Sequence, residues 1–196
     1  MKKVVLAVLA VMLILGATVY AVSFSDVSGH WAEKYIMELA EKGIINGYED
    51  GTFKPQGAIK KGEFLKLIMV ASLPDEDWTV PSVKYDHWAS AYIEVAELEK
   101  IIEEESIDEY NANEEISRAQ VVEILGRCDI FLRDADQIGR DVEFYDTNNM
   151  TDSEYSMLCH CVGRGFITGY EDATFKPENT LTRAEVATIL SRYLSK

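Results

Sequence analysis

Cysteine is scarce in this chain, and so is positive charge. Three cysteines, Cys128, Cys159 and Cys161, stand among 196 residues, an odd number that implies no disulfide framework. A Cys128 pairing with Cys159 or Cys161 stays open. The Cys159-His160-Cys161 run fits no usual spacing of structural zinc ligands, and Cys128 falls on a helical stripe where a core residue is expected. Lys and Arg number 19 against 34 Asp and Glu, for a formal net charge of −15. A chain so poor in cations is not a nucleic-acid binder, because that binding neutralises phosphates with Lys and Arg. An acidic ligand would need a local cationic pocket set against the overall field. Also missing is any Ser-His-Asp or Cys-His order that makes catalytic sense. The Asp50 and Asp172 loops lack the alternating acids and distal glutamate of an EF-hand. Paired carboxylates can cleave glycosidic bonds, but caps and loops account for the acids in this chain. No enzyme activity, cofactor or metal is expected.

What is present begins with Met1-Lys2-Lys3, an uncharged run from Val4 to Tyr20, and a first acid only at Asp26. This pattern reads as a secretory signal over residues 1–21, cleaved after Ala21. The apolar run is about as long as the shortest spanning helices, so an uncleaved membrane anchor is the alternative. Cleavage would remove Lys2 and Lys3 and take the charge from −15 to −17.

Self-similarity organises the remainder. Gly43-Ile44-Ile45-Asn46-Gly47-Tyr48-Glu49-Asp50-Gly51-Thr52-Phe53-Lys54-Pro55 returns 122 positions later as Gly165-Phe166-Ile167-Thr168-Gly169-Tyr170-Glu171-Asp172-Ala173-Thr174-Phe175-Lys176-Pro177. A fainter copy lies between them at an offset of 57, matching Trp31-Ala32 to Trp88-Ala89 and Ile44-Ile45 to Ile101-Ile102. Each repeat reads as helix, loop, helix. The first helix of repeat one begins near His30-Trp31, shows Ile36, Leu39, Ala40 and Gly43 on one face, and ends at Gly43. The loop plugs Phe53 into the core and stops at Pro55. The second helices carry matching stripes: Phe64, Leu67, Ile68 and Ala71, then Val121, Ile124, Leu125 and Cys128, then Val186, Ile189, Leu190 and Tyr193. A two-helix unit cannot bury such a stripe alone, so the faces should pack together. The expected fold is all-α: three helix-loop-helix repeats, at 22–72, 73–133 and 134–196, forming one pseudo-threefold domain around a central three-helix bundle, with grooves where repeats meet. Ser72 to Lys84 and Arg133 to Asp146 read as linkers, with Ile138, Val142 and Phe144 as docking residues in the second.

The chemistry concentrates where the second helices start. In register these are Lys60-Lys61-Gly62-Glu63, Ser117-Arg118-Ala119-Gln120 and Thr182-Arg183-Ala184-Glu185. The last two spell a capping box, a hydroxyl with a Glu or Gln three residues on. Lys61, Arg118 and Arg183 then lie in the first turn, where the helix dipole disfavours a cation by about 0.3–1 kcal/mol. Free backbone N–H groups and a guanidinium converging on one spot would suit a carboxylate or phosphate from a ligand. Glu63, Gln120 and Glu185 are expected to be capping partners first. Trp31 and Trp88 fit a partly buried core better than a sugar platform.

With Phe24-Ser25-Asp26-Val27, Trp31-Ala32, the two Thr-Phe-Lys-Pro loops and Thr-Arg-Ala-Glu, the chain resembles three tandem S-layer homology domains, the modules that fasten surface proteins to bacterial cell walls. The resemblance covers nearly all of the chain after the signal. It implies an exported protein at the cell wall or S-layer that binds secondary cell-wall polysaccharide, often bearing pyruvate ketals, between repeats. It further implies groove contacts from Arg183, Arg118 and Lys61, from Glu185, Gln120 and Glu63, from Asp26, Trp31 and Trp88, and from the Gly47, Asp50, Gly169 and Asp172 loops. The membrane enters only through an uncleaved signal. The alternative class is a structural or adaptor surface protein acting through contacts with other envelope proteins. Departures point to fewer than three working grooves: Lys61 lacks the bidentate fork of arginine, repeat two replaces the glycine-aspartate loop with Glu103-Glu104-Glu105, and Ser153 aligns with Trp31.

Overall fold

Apolar stripes at helical spacing and capping signals at the right offsets leave few options for the backbone. The computed structural model describes residues 22–78, 84–133 and 142–196; the expected signal at 1–21 and Ile138 lie outside them. Six α-helices follow in order: α1 (Glu33–Glu41), α2 (Lys61–Ser72), α3 (Ser90–Leu98), α4 (Arg118–Arg127), α5 (Asp152–Arg164) and α6 (Arg183–Leu194). A π-helical turn, Cys128–Leu132, continues α4. Among the described residues there is no sheet, only three isolated antiparallel bridges. The fold is all-α, as expected.

The first helix of each pair ends in the same way. Gly43, Lys100 and Gly165 adopt left-handed conformations with φ of 71°, 59° and 77°. In each case this residue's N–H and the next reach back to the last turn: Gly43 and Ile44 to Ala40 and Leu39, Lys100 and Ile101 to Glu97 and Ala96, Gly165 and Phe166 to Val162 and Cys161. These are paired Schellman bonds, which satisfy carbonyls that the helix leaves open.

The second helices supply much of the core. Val121, Ile124, Leu125 and Cys128 are buried, as are Val186, Ile189, Leu190 and Tyr193. In α2 the buried set is Phe64, Leu65, Ile68 and Met69, so the stripe is rotated from expectation and Leu67 is left half-buried. Phe53 and Phe175 plug the core, and Val142 and Phe144 dock against it. α2 packs on both α4 and α6, α1 covers α6, and α5 lies along α4. All three cysteines are free and buried, so the disulfide left open above does not form. Burial pushes the Cys128 and Cys161 thiols up from their ordinary 9.0, which keeps them unreactive.

The repeats are joined at their helix starts. Lys61 and Gly62 donate their backbone N–H to the carbonyls of Glu114 and Ala112, both at 2.9 Å. Arg118 and Ala119 donate to Asn179 and Pro177, and Arg183 and Ala184 to Gly57 and Pro55, at 2.9–3.0 Å. Each helix start is thus held by the loop of another repeat, and the third closes on the first.

Lys100 is a β-carbon-bearing residue in a position that favours glycine, at a cost of roughly 1–2 kcal/mol. Replacing it by glycine should stabilise the chain by about 1 kcal/mol and raise the melting temperature by about 2–4 °C. A thermal melt of Lys100→Gly checks this; an unchanged or lower midpoint contradicts the strain.

Candidate functional site

The bonds at the helix starts correct one expectation at once. The first two N–H groups of α2, α4 and α6 are taken by neighbouring loop carbonyls, and the third N–H of α4 and α6 goes to the Ser117 or Thr182 hydroxyl. These donors are occupied, so they do not wait for an anion. The arginines also have protein partners. Arg183 donates Nε–H to the Phe53 carbonyl at 2.8 Å and Nη2–H to that of Asn46 at 3.0 Å. Arg118 repeats this with Phe175 at 2.8 Å and Thr168 at 3.1 Å. The carbonyls of the glycine loop answer the question of why a cation stands at a helix start.

One nitrogen remains. Nη1 of Arg118 has no acceptor among the described residues, and the residue is 4% exposed. Its guanidinium lies over the rings of Tyr170 and Phe175, at 4.8 and 4.6 Å to their centroids. No carboxylate forms a salt bridge with it among the described residues. Burial presses its pKa down, with Tyr170, Glu185 and Asp146 opposing, but an arginine stays charged. Arg183 is stacked in the same way on Tyr48 and Phe53, and its Nη1 has Glu63 Oε1 3.8 Å away.

Each arginine opens onto a cleft. The Arg183 cleft, about 190 Å³, is lined by Asn46, Gly47, Tyr48, Glu63, Leu67 and Trp88, among others. The Arg118 cleft, about 230 Å³, is lined by the 122-offset counterparts Thr168, Gly169, Tyr170, Glu185 and Ile189, with Trp31 at its edge. In both, the loop comes from one repeat, the arginine from a second and the tryptophan from the third. Trp31 and Trp88 are 60% and 53% exposed, which corrects the core reading; each leans on its neighbouring histidine, His30 or His87. Gly47 and Gly169 are required for space, since a β-carbon there would collide with Phe24 or Phe144.

The equivalent third groove is smaller, about 90 Å³, and includes Glu103, Gln120, Glu123 and Arg127. Arg127 pairs with Glu103 at 3.0 Å and Glu123 at 2.8 Å, and with the Ser153 hydroxyl at 3.3 Å. Lys61, expected beside a sugar, is buried and tied to Glu114 at 2.7 Å, and it lines none of these spaces. Asp26 is a strut: its carboxylate accepts the N–H of Phe53 and of Lys54, both at 2.8 Å. Asp146 does the same for Phe175 and Lys176. Asp50 and Asp172 cap Thr52 and Thr174 within their own loops. Sequence reasoning did not single out the stacked Tyr48 and Tyr170, or Lys66 and Arg192 on the cleft walls; the last two follow the capping glutamates at the helical spacings of three and seven and were open to the same alignment.

Residues 23–65 and 143–187 match the S-layer homology domain family. An amylopullulanase of Thermoanaerobacterium thermosulfurigenes is 28% identical over 184 residues, 90% of this chain but 10% of that enzyme. A cellulosome-anchoring protein of Acetivibrio thermocellus is 56% identical over 43 residues, 22% of this chain and 10% of that protein. An S-layer protein of Bacillus licheniformis is 33% identical over 107 residues, 53% and 12% respectively. The chain spans about a tenth of these relatives' length.

The Asp26 strut makes stability depend on acid. Burial opposes ionisation, but the N–H bonds from Phe53 and Lys54 outweigh it and hold the carboxyl below its ordinary 3.8. The unfolded chain therefore takes up this proton first as pH falls, so the contribution is complete above 3.8 and is lost as pH drops through the folded value. Urea melts from pH 7 downward should show Asp26→Asn less stable at neutral pH and with a shallower decline in acid. Parallel declines in both chains would contradict the assignment.

Proposed function

We propose that this chain, which carries S-layer homology domains at residues 23–65 and 143–187, anchors to the cell wall by holding an anionic secondary polysaccharide in the Arg118 and Arg183 clefts. Anchoring is the role of this domain, and its place is the cell surface, as for the S-layer and cellulosome-anchoring relatives. Among the described residues no helix is long and apolar enough to cross a membrane. The same reading takes 22–72, 73–133 and 134–196 as three repeats about a pseudo-threefold axis, with the closed ring of helix-start bonds as its support.

The observation that carries the finer reading is the Arg118 guanidinium, nearly buried, stacked on two rings, and without a carboxylate to balance it. Its free Nη1 faces the cleft, where an incoming carboxylate would give the charge the ionic partner that the loop carbonyls do not. Such a charge-assisted bond contributes about 1.5–3 kcal/mol. A pyruvate ketal fits the remainder, since it presents a carboxylate beside a methyl group. The cleft walls supply apolar contacts for that methyl, Leu67 and Ile44 in one and Ile189 and Ile167 in the other. The exposed indoles offer flat faces to the sugar ring. Glu185 and Glu63 are held by their capping bonds, so their role is to position the helix start and to accept from sugar hydroxyls. The reading is of a binder that performs no chemistry on the polymer.

Co-sedimentation with native walls and with walls stripped of secondary polymer tests this. Trp31→Ala and Trp88→Ala are the informative variants, because both side chains are more than half exposed and helicity should not change. The double variant should lose at least tenfold in wall affinity, and Arg118→Lys, which keeps charge without the fork, should lose several-fold. Equal binding to stripped walls, or undiminished binding by the double tryptophan variant with normal circular dichroism, would overturn the proposal.

A further inference from the structure

The two clefts share their arginine, glycine loop and tryptophan, yet they differ in one respect that the repeat alignment isolates. Lys66 lines the Arg183 cleft, and Arg192 lines the Arg118 cleft. These are not equivalent positions. At the 122 offset Lys66 aligns with Thr188, and Arg192 aligns with Val70. Lys66 stands three residues after its capping glutamate Glu63, and Arg192 stands seven after Glu185. The second cation of the Arg118 cleft is therefore four residues further along the helix, a displacement of about 6 Å at the rise of an α-helix.

Both second cations are available. Neither Lys66 nor Arg192 has a side-chain hydrogen bond or a salt bridge among the described residues. In a chain of net charge −15, a half-buried cation on a cleft wall without a carboxylate partner stands out, because other cations such as Lys42, Lys61 and Lys84 are paired. The third groove provides the contrast. There the position of Lys66 holds Glu123 and that of Arg192 holds Arg127, and the two neutralise each other at 2.8 Å. Free positive charge is kept in the two larger clefts and is cancelled in the smaller third groove.

We propose that Lys66 and Arg192 set which anionic glycan each cleft prefers: the Arg183 cleft takes a single acidic sugar gripped between Arg183 and Lys66. The Arg118 cleft takes a longer segment, whose second negative group lies further along the helix and meets Arg192. The two clefts then read different stretches of one polymer. This rests on the anionic-glycan reading above and adds a length and charge-spacing preference to it.

The two tryptophans separate the clefts experimentally, since the indole N–H resonance of Trp88 reports the Arg183 cleft and that of Trp31 the Arg118 cleft. The full chain would be titrated with two probes: a monosaccharide bearing one pyruvate ketal, and a disaccharide bearing that ketal and a carboxylate on the next sugar. Expected at Trp31 is about tenfold tighter binding of the disaccharide, abolished by Arg192→Ala, with monosaccharide binding there unchanged. Expected at Trp88 is equal binding of both probes, each weakened about tenfold by Lys66→Ala. The double variant Lys66→Thr with Val70→Arg keeps both cleft arginines and should transfer the disaccharide preference to Trp88. Wild-type binding of the probes with no change in these variants, or an equal loss of both probes with Arg192→Ala, overturns the spacing rule and leaves anionic-glycan binding standing. A wild-type chain that shifts neither indole with either probe removes the glycan reading and the spacing rule together.

Discussion

A helix cannot satisfy its own first N–H groups, and this chain meets that need across its repeats. The first two donors of α2, α4 and α6 reach carbonyls at 112 and 114, at 177 and 179, and at 55 and 57. Because each acceptor pair belongs to a loop of a different repeat, the seams depend on one another. Pro55 and Pro177 fit this service, since a proline has no N–H to offer but keeps a carbonyl. The same seams place the arginines. With its backbone N–H held at the neighbouring loop, the side chain of Arg183 or Arg118 has only that loop to lie on, and its guanidinium settles against the carbonyls and rings there.

Charge is distributed unevenly over this frame. Most acids face water, but Asp129 is fully buried in the π-helical turn, held by His160 Nε2 at 3.0 Å, Arg164 Nε at 2.8 Å and Arg133 Nη1 at 3.5 Å. Arg133 also donates to the Tyr193 carbonyl at 2.7 Å. The cluster joins α4, α5 and α6 and gives a buried acid several partners, as a polar group in a core requires. Arg118 is the opposite case, a buried cation satisfied by carbonyl dipoles and π faces but by no full negative charge. That asymmetry between two buried ionic groups in one core separates a structural network from a site with room for a ligand.

The helices, their order and most of their buried faces were legible because they follow from spacing: capping boxes, left-handed ends and 0, 3, 4, 7 stripes are local signals. Ile36, Leu39 and Ala40 in one helix, and Val186, Ile189, Leu190 and Tyr193 in another, needed no tertiary information. What the chain hid was whatever depends on a partner from another repeat. The sequence shows an unfavourable cation at Arg183 but not the Phe53 and Asn46 carbonyls that receive it. Asp26 was expected beside a sugar through the family resemblance alone; the sequence did not show that its carboxylate accepts the N–H groups of Phe53 and Lys54, as Asp146 does for Phe175 and Lys176. The tryptophans were misread for a related reason: aromatic rings in helix-start motifs are commonly buried, but the small Ala32 and Ala89 take the core positions beside Trp31 and Trp88 and leave the indoles outside.

Two clefts in a single acidic domain also bear on how hold is achieved. The polymer is anionic in the proposed reading, so the average field repels it, and each cleft must overcome that repulsion with a few short-range contacts. Neither cleft alone need bind tightly. Once one sugar is seated, the second cleft meets a tethered neighbour at an effective concentration set by the polymer between them, in the millimolar range for short flexible links. In the third groove repeat two places Glu103 on the loop and Glu123 on α4, acids that would repel an anionic glycan. Their pairing with Arg127 neutralises the charge of that groove, while repeat two still supplies Arg118 to one cleft and Trp88 to the other. A domain of this kind can lose one site without losing its architecture, because the seams are made by backbone N–H and carbonyl groups, which a change of side chain in one groove leaves in place.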